Sequence, residues 1–325
     1  MKVVVIVSTG NSGGGAIHDY LVSDTKLKNP FKDKEFRLLD DPDGILNLYY
    51  NFYKNCSINN PSNALMRFKN YINNLCGLKV KLKNKSVNVF NKRILNETEK
   101  YIQKITILDY YALPQFIALQ TNYFKKKYHN LKKNVLNLRQ NSNFFKMYMP
   151  VKENDFKKET KKYLFKLVKL HLENENSEYI ILDQAVNIWN YAEIFSYFDD
   201  VKVILVTRDP RGIYNSMKTR HSRAYPGDDL KNWTKWYQAL IEKYFKYKKS
   251  INRKFTKNIL EIKFEDFVKN YKKEQKRILK FLNLKKKSNN FQIEKSKLNA
   301  FKANHELSNF EKRYIEKRLN NYLHW

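Results

Sequence analysis

The sequence predicts an α/β protein in which a parallel sheet is flanked by helices and carries one helical insertion. A β-branched run, Val3–Val7, is followed at once by a glycine-rich turn and an amphipathic stretch. A second apolar run, residues 201–207, is followed by the start signals of a helix. Continuous apolar runs of this kind are typical of strands that a parallel sheet buries on both faces. Between them, residues 45–175 mainly show the apolar spacing of about 3.6 residues that amphipathic helices have. We expect one domain, residues 1–325, with the insertion at approximately 45–175.

The composition favours a folded chain. Hydrophobic residues make up 42% and aromatic residues 15% of the 325 positions, which is ample material for a core and argues against disorder. The sequence has no apolar run of about eighteen residues, the length that a transmembrane helix needs. Two cysteines, Cys56 and Cys76, are too few for a disulfide framework or a four-cysteine zinc site. Free thiols suit a reducing compartment, so we expect a cytoplasmic protein.

The charge by itself indicates a nucleic-acid partner only weakly. Lys and Arg total 63 against 32 Asp and Glu, a formal net charge of +31, and a strongly basic domain is a common sign of nucleic-acid binding. However, Lys, Asn, Tyr, Phe and Ile share codons rich in A and T, so a compositional bias would produce the same excess. The sequence carries no recognised DNA- or RNA-binding motif, and we expect no specific nucleic-acid partner.

The first strand leads into a loop suited to phosphate. Its apolar run is too short for a signal peptide. The loop that follows holds half of the chain's 8 glycines, and a strand, a glycine turn and a helix present backbone N–H groups to an anion. Gly10 and Gly15 have Walker A spacing, but Ala16 and Ile17 stand where a P-loop kinase or NTPase has Lys and Ser or Thr. A phosphate site is therefore favoured over a kinase, and a purely structural turn is the other alternative.

The second strand leads into another candidate anion site. Arg208 directly follows residues 201–207, Asp209 is a suitable N-cap, and Pro210 suits the first helical position. Ligands of open α/β sheets bind at the carboxyl ends of the strands. Arg208 and Ser216, about two turns into the helix, could converge on one phosphate. The alternative is that Arg208 pairs with a neighbouring carboxylate.

These two motifs together resemble those of the sulfotransferases that use 3′-phosphoadenosine 5′-phosphosulfate (PAPS). Residues 232–237, 258–267 and 280–284 also resemble, in order and spacing, three later elements of that family. The resemblance covers residues 1–25 and about 178–285. It implies that the first loop cradles the 5′-phosphosulfate and that the second motif binds the 3′-phosphate. Carried onto this sequence, the donor-binding residues are Asn11, Ser12, Gly13, Gly14, Gly15, Arg208 and Ser216.

The resemblance also implies the reaction and the topology. The fold would be a P-loop-like parallel sheet, and the activity would be in-line transfer of a sulfuryl group from PAPS to a hydroxyl of a carbohydrate or small-molecule acceptor, without a metal. A bacterial, carbohydrate-type sulfotransferase is the nearest description. The acceptor, a glycan or a metabolite, would bind in the variable helical region at approximately 45–175.

One position departs from the family's pattern. Many members have Lys or Arg where this sequence has Asn11, and an uncharged amide should stabilise a leaving phosphate less well. Arg211 or Lys302 could supply the missing cation. Otherwise the loop works through its N–H groups, or the chain is a catalytically impaired sulfotransferase-like protein or a basic binder of polysaccharide or nucleic acid.

Three residues are candidates for the base that takes the acceptor's proton. Glu35 lies in residues 34–39, which are expected to form the second strand, and its alternative role is to pair with Arg37 or a nearby Lys. Asp183 ends the strand-like residues 179–182, where it could instead cap a helix. His18 lies in the helix after the first loop, where packing or anion contact is the alternative. The histidines show no metal-ligand spacing, so no metal is expected.

Overall fold

A computed structural model describes residues 2–24, 26–32, 34–55, 57–77, 81–82, 85–86, 90–112, 145–172, 177–219, 225–285 and 291–323. The described strands are β1 (Lys2–Ser8), β2 (Leu27–Lys28), β3 (Lys81–Leu82), β4 (Lys85–Ser86), β5 (Thr106–Ala112), β6 (Phe145–Pro150), β7 (Tyr179–Asp183), β8 (Val201–Thr207) and β9 (Ile259–Lys263). The helices are α1 (Gly14–Val22), α2 (Ile45–Tyr49), α3 (Asn60–Leu75), α4 (Ile94–Ile105), α5 (Glu153–His171), α6 (Pro210–Thr219), α7 (Leu230–Ser250), α8 (Phe264–Lys269), α9 (Tyr271–Leu282), α10 (Ile293–Phe301), α11 (Ala303–Glu306) and α12 (Asn309–Leu319). Cys56 and residues 113–144 of the expected insertion lie outside the described residues.

The chain divides into two compact units, residues 1–37 with 174–325, and residues 38–173. The first unit contains a five-stranded sheet in the order β2-β7-β1-β8-β9, and every neighbouring pair is parallel. The central strand β1 pairs with β7 and β8, so that Val5 lies between Leu182 and Val203. Val3–Val7 are completely buried, as the apolar run predicts. The predicted α/β fold class, with a parallel sheet flanked by helices, is confirmed.

One predicted strand is wrong. Residues 34–39 do not join the sheet; β2 is instead the short segment Leu27–Lys28, which pairs with Tyr179 and Ile180. A turn in which Lys32 adopts a φ of 60° follows β2 and ends the pairing. The chain then contacts β7 again through a single hydrogen bond of 2.8 Å, from the Phe36 N–H to the Asp183 carbonyl. Within this segment residues 35–38 alternate polar and apolar side chains, as a strand does, but they form no ladder.

The second unit is mainly helical, as predicted for the insertion, but it also contains strands. Helices α4 and α5 contact each other through stacked Tyr101 and Tyr163 rings, whose centroids lie 4.2 Å apart. Strands β5 and β6 pair as an antiparallel hairpin, and β3 pairs with β4. None of the helices in the described ranges is long and apolar enough to cross a membrane. That the whole chain is one domain stays a prediction.

Candidate active site

The loop between β1 and α1 is held in shape by its own hydrogen bonds. Asn11 and Gly13 have φ values of 64° and 92°, a region that Gly and Asn tolerate best. The buried Ser12 hydroxyl donates to the Thr9 carbonyl at 2.5 Å and to the Val206 carbonyl at 3.4 Å. Ser12 therefore connects the loop to the end of β8. The helix that follows, α1, begins with N–H groups that have no hydrogen-bond partner within the helix, as at any helix N-terminus.

Two of the loop glycines are required by close packing. A Cβ at Gly13 would lie 2.5 Å from the Phe264 ring, and a Cβ at Gly14 would lie 2.5 Å from the Ser8 hydroxyl oxygen. Any side chain would force these neighbours to move. The loop therefore approaches the first residue of α8 with bare backbone, which is the kind of surface that a phosphate needs.

Arg208 is the centre of the second motif. Its side chain is buried, and its guanidinium lies over the Phe264 ring with 5.2 Å between Cζ and the ring centroid. Nη1 donates to the Asn11 carbonyl and to the Ser216 hydroxyl, both at 2.9 Å. Nη2 donates to the Asn299 carbonyl of α10 at 2.6 Å. One guanidinium thus connects the glycine-rich loop, helix α6 and helix α10.

The start of α6 positions this arginine. The Asp209 side chain accepts a hydrogen bond from the Arg211 N–H at 2.8 Å, the capping role that the sequence predicts. A Cβ at Gly212 would lie only 2.7 Å from Arg208 Nε, so glycine makes room for the guanidinium. Glu265 lies 3.9 Å from Arg208 Nε and accepts from the Asp209 N–H at 3.1 Å. Arg208 therefore has the neighbouring carboxylate of the alternative interpretation as well as Ser216.

The loop and the second motif meet at one cavity of about 370 Å³, which we call the donor cavity. It contains most of the site residues predicted from the sequence: Asn11, Gly13, Gly14, Gly15, Glu35, Asp183, Arg208 and Ser216. It also contains residues that sequence reasoning missed: Ser8, Thr9, Gly10, Ala16, Gln184, Phe264, Ser296 and Asn299. Ser12 does not line the cavity, and its side chain is committed to the loop.

Asp183 has a strongly perturbed acid strength. Its pKa is raised from 3.8 to about 6, mainly by burial; the nearby His18 opposes this rise, and the negative charge of Glu35 adds to it. Its Oδ1 atom is buried and has no hydrogen-bond partner among the described residues. A carboxyl that titrates near neutral pH at the edge of a cavity is a functional-site candidate.

Glu35 has a different environment. Its side chain is 50% exposed and forms an ion pair with Arg37, with 3.2 Å between Oε2 and Nη1. This is the pairing that the alternative interpretation expects. Glu35 nevertheless lines the donor cavity, and its charge acts on Asp183, so the two carboxylates lie close together.

His18 is not brought to the donor cavity. Its Nδ1 atom lies 3.3 Å from an Asp19 carboxylate oxygen, and its Nε2 atom lies 2.9 Å from the Asn29 side-chain nitrogen. The ring is 9% exposed. Both ring nitrogens are therefore engaged away from the cavity, which matches the packing role rather than that of a base.

The cations suggested to replace a loop lysine lie elsewhere. Arg211 forms a fork with Asp209, at 2.5 Å between Nη2 and Oδ2, and contacts Glu316 at 2.6 Å; these partners raise its already high pKa. Lys302 is exposed at the end of α10. Neither residue lines the donor cavity. Within the described ranges, no group of three or more His, Cys, Asp or Glu side chains is arranged to hold a metal ion.

A second cavity, of about 110 Å³, shares part of its wall with the first. The shared residues are Ser8, Thr9, Gly10, Glu35 and Gln184. The remaining lining residues are Arg37, Asn187, Ile188, Trp189, Tyr225, Trp236 and Leu240. Sequence reasoning missed this cavity; the aromatic stretch at 232–237 is the one signal that pointed toward it.

The chain is similar to several solved sulfotransferase structures and to one protein family. The sulfotransferase domain from the Synechococcus PCC 7002 olefin synthase is 12% identical, with a TM-score of 0.47, covering 98% of this chain and 94% of that one. The sulfotransferase domain from the curacin biosynthetic pathway is 11% identical, with a TM-score of 0.45, covering 98% and 97%. Sulfotransferase STF9 from Mycobacterium avium is 10% identical, with a TM-score of 0.41, covering 99% and 76%. No curated protein matches the sequence. A family model described as "Sulfotransferase family" matches residues 93–288, which is more than half of the chain.

Proposed function

The chain belongs to the sulfotransferase family, and we propose that it moves a sulfuryl group from PAPS to a hydroxyl of a carbohydrate or small-molecule acceptor. One observation carries the proposal: the glycine-rich loop, Arg208 and Ser216 line the same cavity as two carboxylates. Anion-binding groups and candidate bases thus meet in one place, which is the combination that the transfer of a charged group to a hydroxyl requires.

The two anion-binding motifs would hold the two ends of the donor. The N–H groups at the start of α1 and the bare backbone of Gly13 and Gly14 suit the 5′-phosphosulfate. The guanidinium of Arg208 and the Ser216 hydroxyl suit the 3′-phosphate. The hydrogen bond between Arg208 and Ser216 supports this assignment, because it fixes both groups toward one point.

The transfer step needs one proton acceptor. The acceptor's hydroxyl oxygen attacks sulfur, an O–S bond forms, and the S–O bond to the 5′-phosphate breaks. The hydroxyl proton goes to a carboxylate, and adenosine 3′,5′-bisphosphate leaves with the bonding electron pair. We propose Glu35 as the base, since a half-exposed carboxylate is accessible to an incoming acceptor. Asp183 is the second candidate.

Asn11 keeps one alternative function open. The donor cavity has no Lys or Arg side chain at the loop position, and among the described lining residues Arg208 is the one cation. A catalytically impaired sulfotransferase-like protein that still binds the nucleotide, or another polyanion, would have the same site. In the active form, the N–H groups of the loop stabilise the leaving phosphate.

We also propose a cytoplasmic location in a bacterial cell and a single functional domain over residues 1–325. Cys76 supports the first point, because it is a buried free thiol whose pKa is raised by burial. Such a thiol is unreactive and suits a reducing compartment.

The decisive experiment measures thermal stabilisation by adenosine 3′,5′-bisphosphate. A ligand that binds only the folded state stabilises it by about 2.7 kcal/mol at a hundred times its Kd. We expect this shift in the wild type, and a much smaller one in Arg208→Ala and Ser216→Ala. Arg313→Ala is the matched control, because Arg313 is exposed and its loss changes the net charge equally.

The outcomes separate the alternatives. No shift in the wild type excludes the PAPS assignment, and a shift that survives both substitutions excludes the site. Labelled sulfate transfer then distinguishes an active enzyme from an impaired binder. Magnesium-dependent ATP turnover without nucleotide bisphosphate binding would instead favour the P-loop kinase.

A further inference from the structure

We propose that the second cavity is the acceptor site and that it takes a single six-membered ring with a hydroxyl group at its edge. This inference rests on the proposed function and adds to it the place and the chemical class of the acceptor. We call this cavity, lined by Trp189, Tyr225, Trp236 and the residues named with them above, the aromatic cavity.

Its position relative to the donor cavity is the first argument. The two cavities share the end of β1, the loop residues Thr9 and Gly10, and Glu35. A molecule in the aromatic cavity therefore reaches the donor cavity past these residues. Glu35 lines both cavities, whereas Asp183 lines the donor cavity alone. A hydroxyl that points from the aromatic cavity toward the donor meets Glu35 on its way.

Its size is the second argument. The cavity volume is about 110 Å³, and an apolar protein cavity of about 150 Å³ is known to hold benzene. The aromatic cavity is smaller than that, so it can take no more than one ring, and two fused rings do not fit. A longer acceptor would place one terminal ring here and leave the rest outside.

Its lining is the third argument. The Tyr225 and Trp236 rings lie 5.2 Å apart at an angle of 49°, and Tyr225 is held against the loop, since a Cβ at Gly10 would lie 2.6 Å from its hydroxyl oxygen. Trp189 forms a cation–π contact with Lys243, whose Nζ lies 5.1 Å from the ring centroid. Aromatic walls favour the flat face of a ring.

The same cavity also has polar lining residues. Arg37, Asn187 and Gln184 lie among the aromatic side chains, and a few polar groups in an apolar pocket set the orientation of a ligand. This mixture suits a ring whose edge carries hydroxyl groups, as in a pyranose or a phenol, better than a plain hydrocarbon. The acceptor site, which the sequence analysis expects at approximately 45–175, is thereby placed on residues of the first unit instead.

The test is sulfate transfer from PAPS to a panel of single-ring acceptors, consisting of p-nitrophenol and methyl hexopyranosides. The phenol and sugar arms distinguish the two sources of a hydroxylated ring. For the accepted compound we expect Trp236→Ala and Trp189→Ala to raise the acceptor KM about tenfold, the size of one lost stacking contact. The KM for PAPS and the stabilisation by adenosine 3′,5′-bisphosphate stay unchanged.

Leu240→Phe provides a variant that fills the cavity rather than emptying it, and it should raise the acceptor KM as well. Phe310→Ala is the matched control, because Phe310 is an aromatic side chain with 71% exposure outside both cavities. Melting temperatures establish that each variant is folded.

Each outcome has one interpretation. If adenosine 3′,5′-bisphosphate, added without an acceptor, does not stabilise the wild type, then the proposed function itself is wrong. If the bisphosphate binds but no ring in the panel is sulfated, the ring assignment is wrong. If a ring is sulfated and the aromatic-cavity variants behave like Phe310→Ala, the acceptor binds elsewhere and the cavity assignment is wrong.

Discussion

Arg208 donates a hydrogen bond of 2.9 Å from Nη1 to the hydroxyl of Ser216, eight residues further along the chain. The protein itself thus links the two side chains, and the same Nη1 atom also donates a hydrogen bond to the Asn11 carbonyl of the loop. A guanidinium fixed in this way loses little conformational freedom on binding a phosphate, which favours affinity.

Gly212→Ala should weaken the binding of adenosine 3′,5′-bisphosphate about tenfold, the loss expected when a charge-assisted contact is misaligned. The new Cβ would lie 2.7 Å from Arg208 Nε, and the guanidinium must move. Since alanine is a better helix former than glycine, the melting temperature should change little. Titration calorimetry measures the affinity, with Lys218→Ala on the same helix as the control. Unchanged affinity would show that the arginine position does not matter.

Gly13→Ala should destabilise the fold by about 1–3 kcal/mol, the range for a strained left-handed residue. Gly13 has a φ of 92°, and its Cβ would collide with the Phe264 ring. Gly15→Ala is the matched control, because a Cβ there has nothing within 4 Å. Urea unfolding compares the two variants, and equal stabilities would contradict the packing argument.

Asp183→Asn should be more stable than the wild type at pH 7.5 but not at pH 4. Burial raises the pKa of Asp183 to about 6, so between pH 4 and pH 6 the folded state holds a proton that the unfolded state has lost. Wild-type stability therefore falls as pH rises through this window, by up to about 3 kcal/mol, and the amide avoids that loss.

The measurement is urea unfolding at both pH values, with the exposed Asp228→Asn as the control. A stability difference that is the same at pH 4 and pH 7.5 would mean that the Asp183 carboxyl titrates normally.

Glu35→Gln should reduce the turnover number for sulfate transfer about 10²–10⁴-fold, the usual contribution of a general base. Nucleotide affinity should be retained, because the amide is nearly isosteric and the base does not hold the donor. Steady-state kinetics with labelled PAPS checks this prediction. Arg37→Gln removes the ion-pair partner of Glu35 and one polar lining residue of the aromatic cavity, and it should have a smaller effect on the turnover number. If Asp183→Asn loses more turnover than Glu35→Gln, the base is Asp183.

The sheet could be predicted from the sequence because its signals are local. Val3–Val7 is a continuous apolar run and residues 201–207 are largely apolar, and each is followed by a turn or cap whose chemistry is readable within a few residues. Arg208 and Ser216 could be predicted together because Arg208 lies just before α6 and Ser216 lies within it. Local signals were not sufficient at residues 34–39. Their side-chain pattern resembles that of a strand, but strand pairing there depends on the preceding turn and on β7, which is remote in sequence.

The rest of the site could not be predicted because its parts are distant in the chain. The aromatic cavity combines residues from 35–37, 187–189, 225 and 236–240, and no periodicity relates them. The same is true of Asn299, which reaches Arg208 across 91 positions. The contacts of His18 with Asp19 and Asn29 could not be predicted either, because the sequence does not show which residues lie beside each ring nitrogen.

Because the proposed nucleotide site contains a buried carboxyl, ligand binding there should be coupled to proton uptake. Among the described lining residues of the donor cavity, two carboxylates, Glu35 and Asp183, accompany Arg208. An incoming anion raises the pKa of a nearby carboxyl, and that of Asp183 already lies at about 6. Nucleotide binding near this pH should therefore take up protons from solution. The apparent enthalpy of binding would vary with the ionisation enthalpy of the buffer, and the affinity would decline as the medium becomes more alkaline.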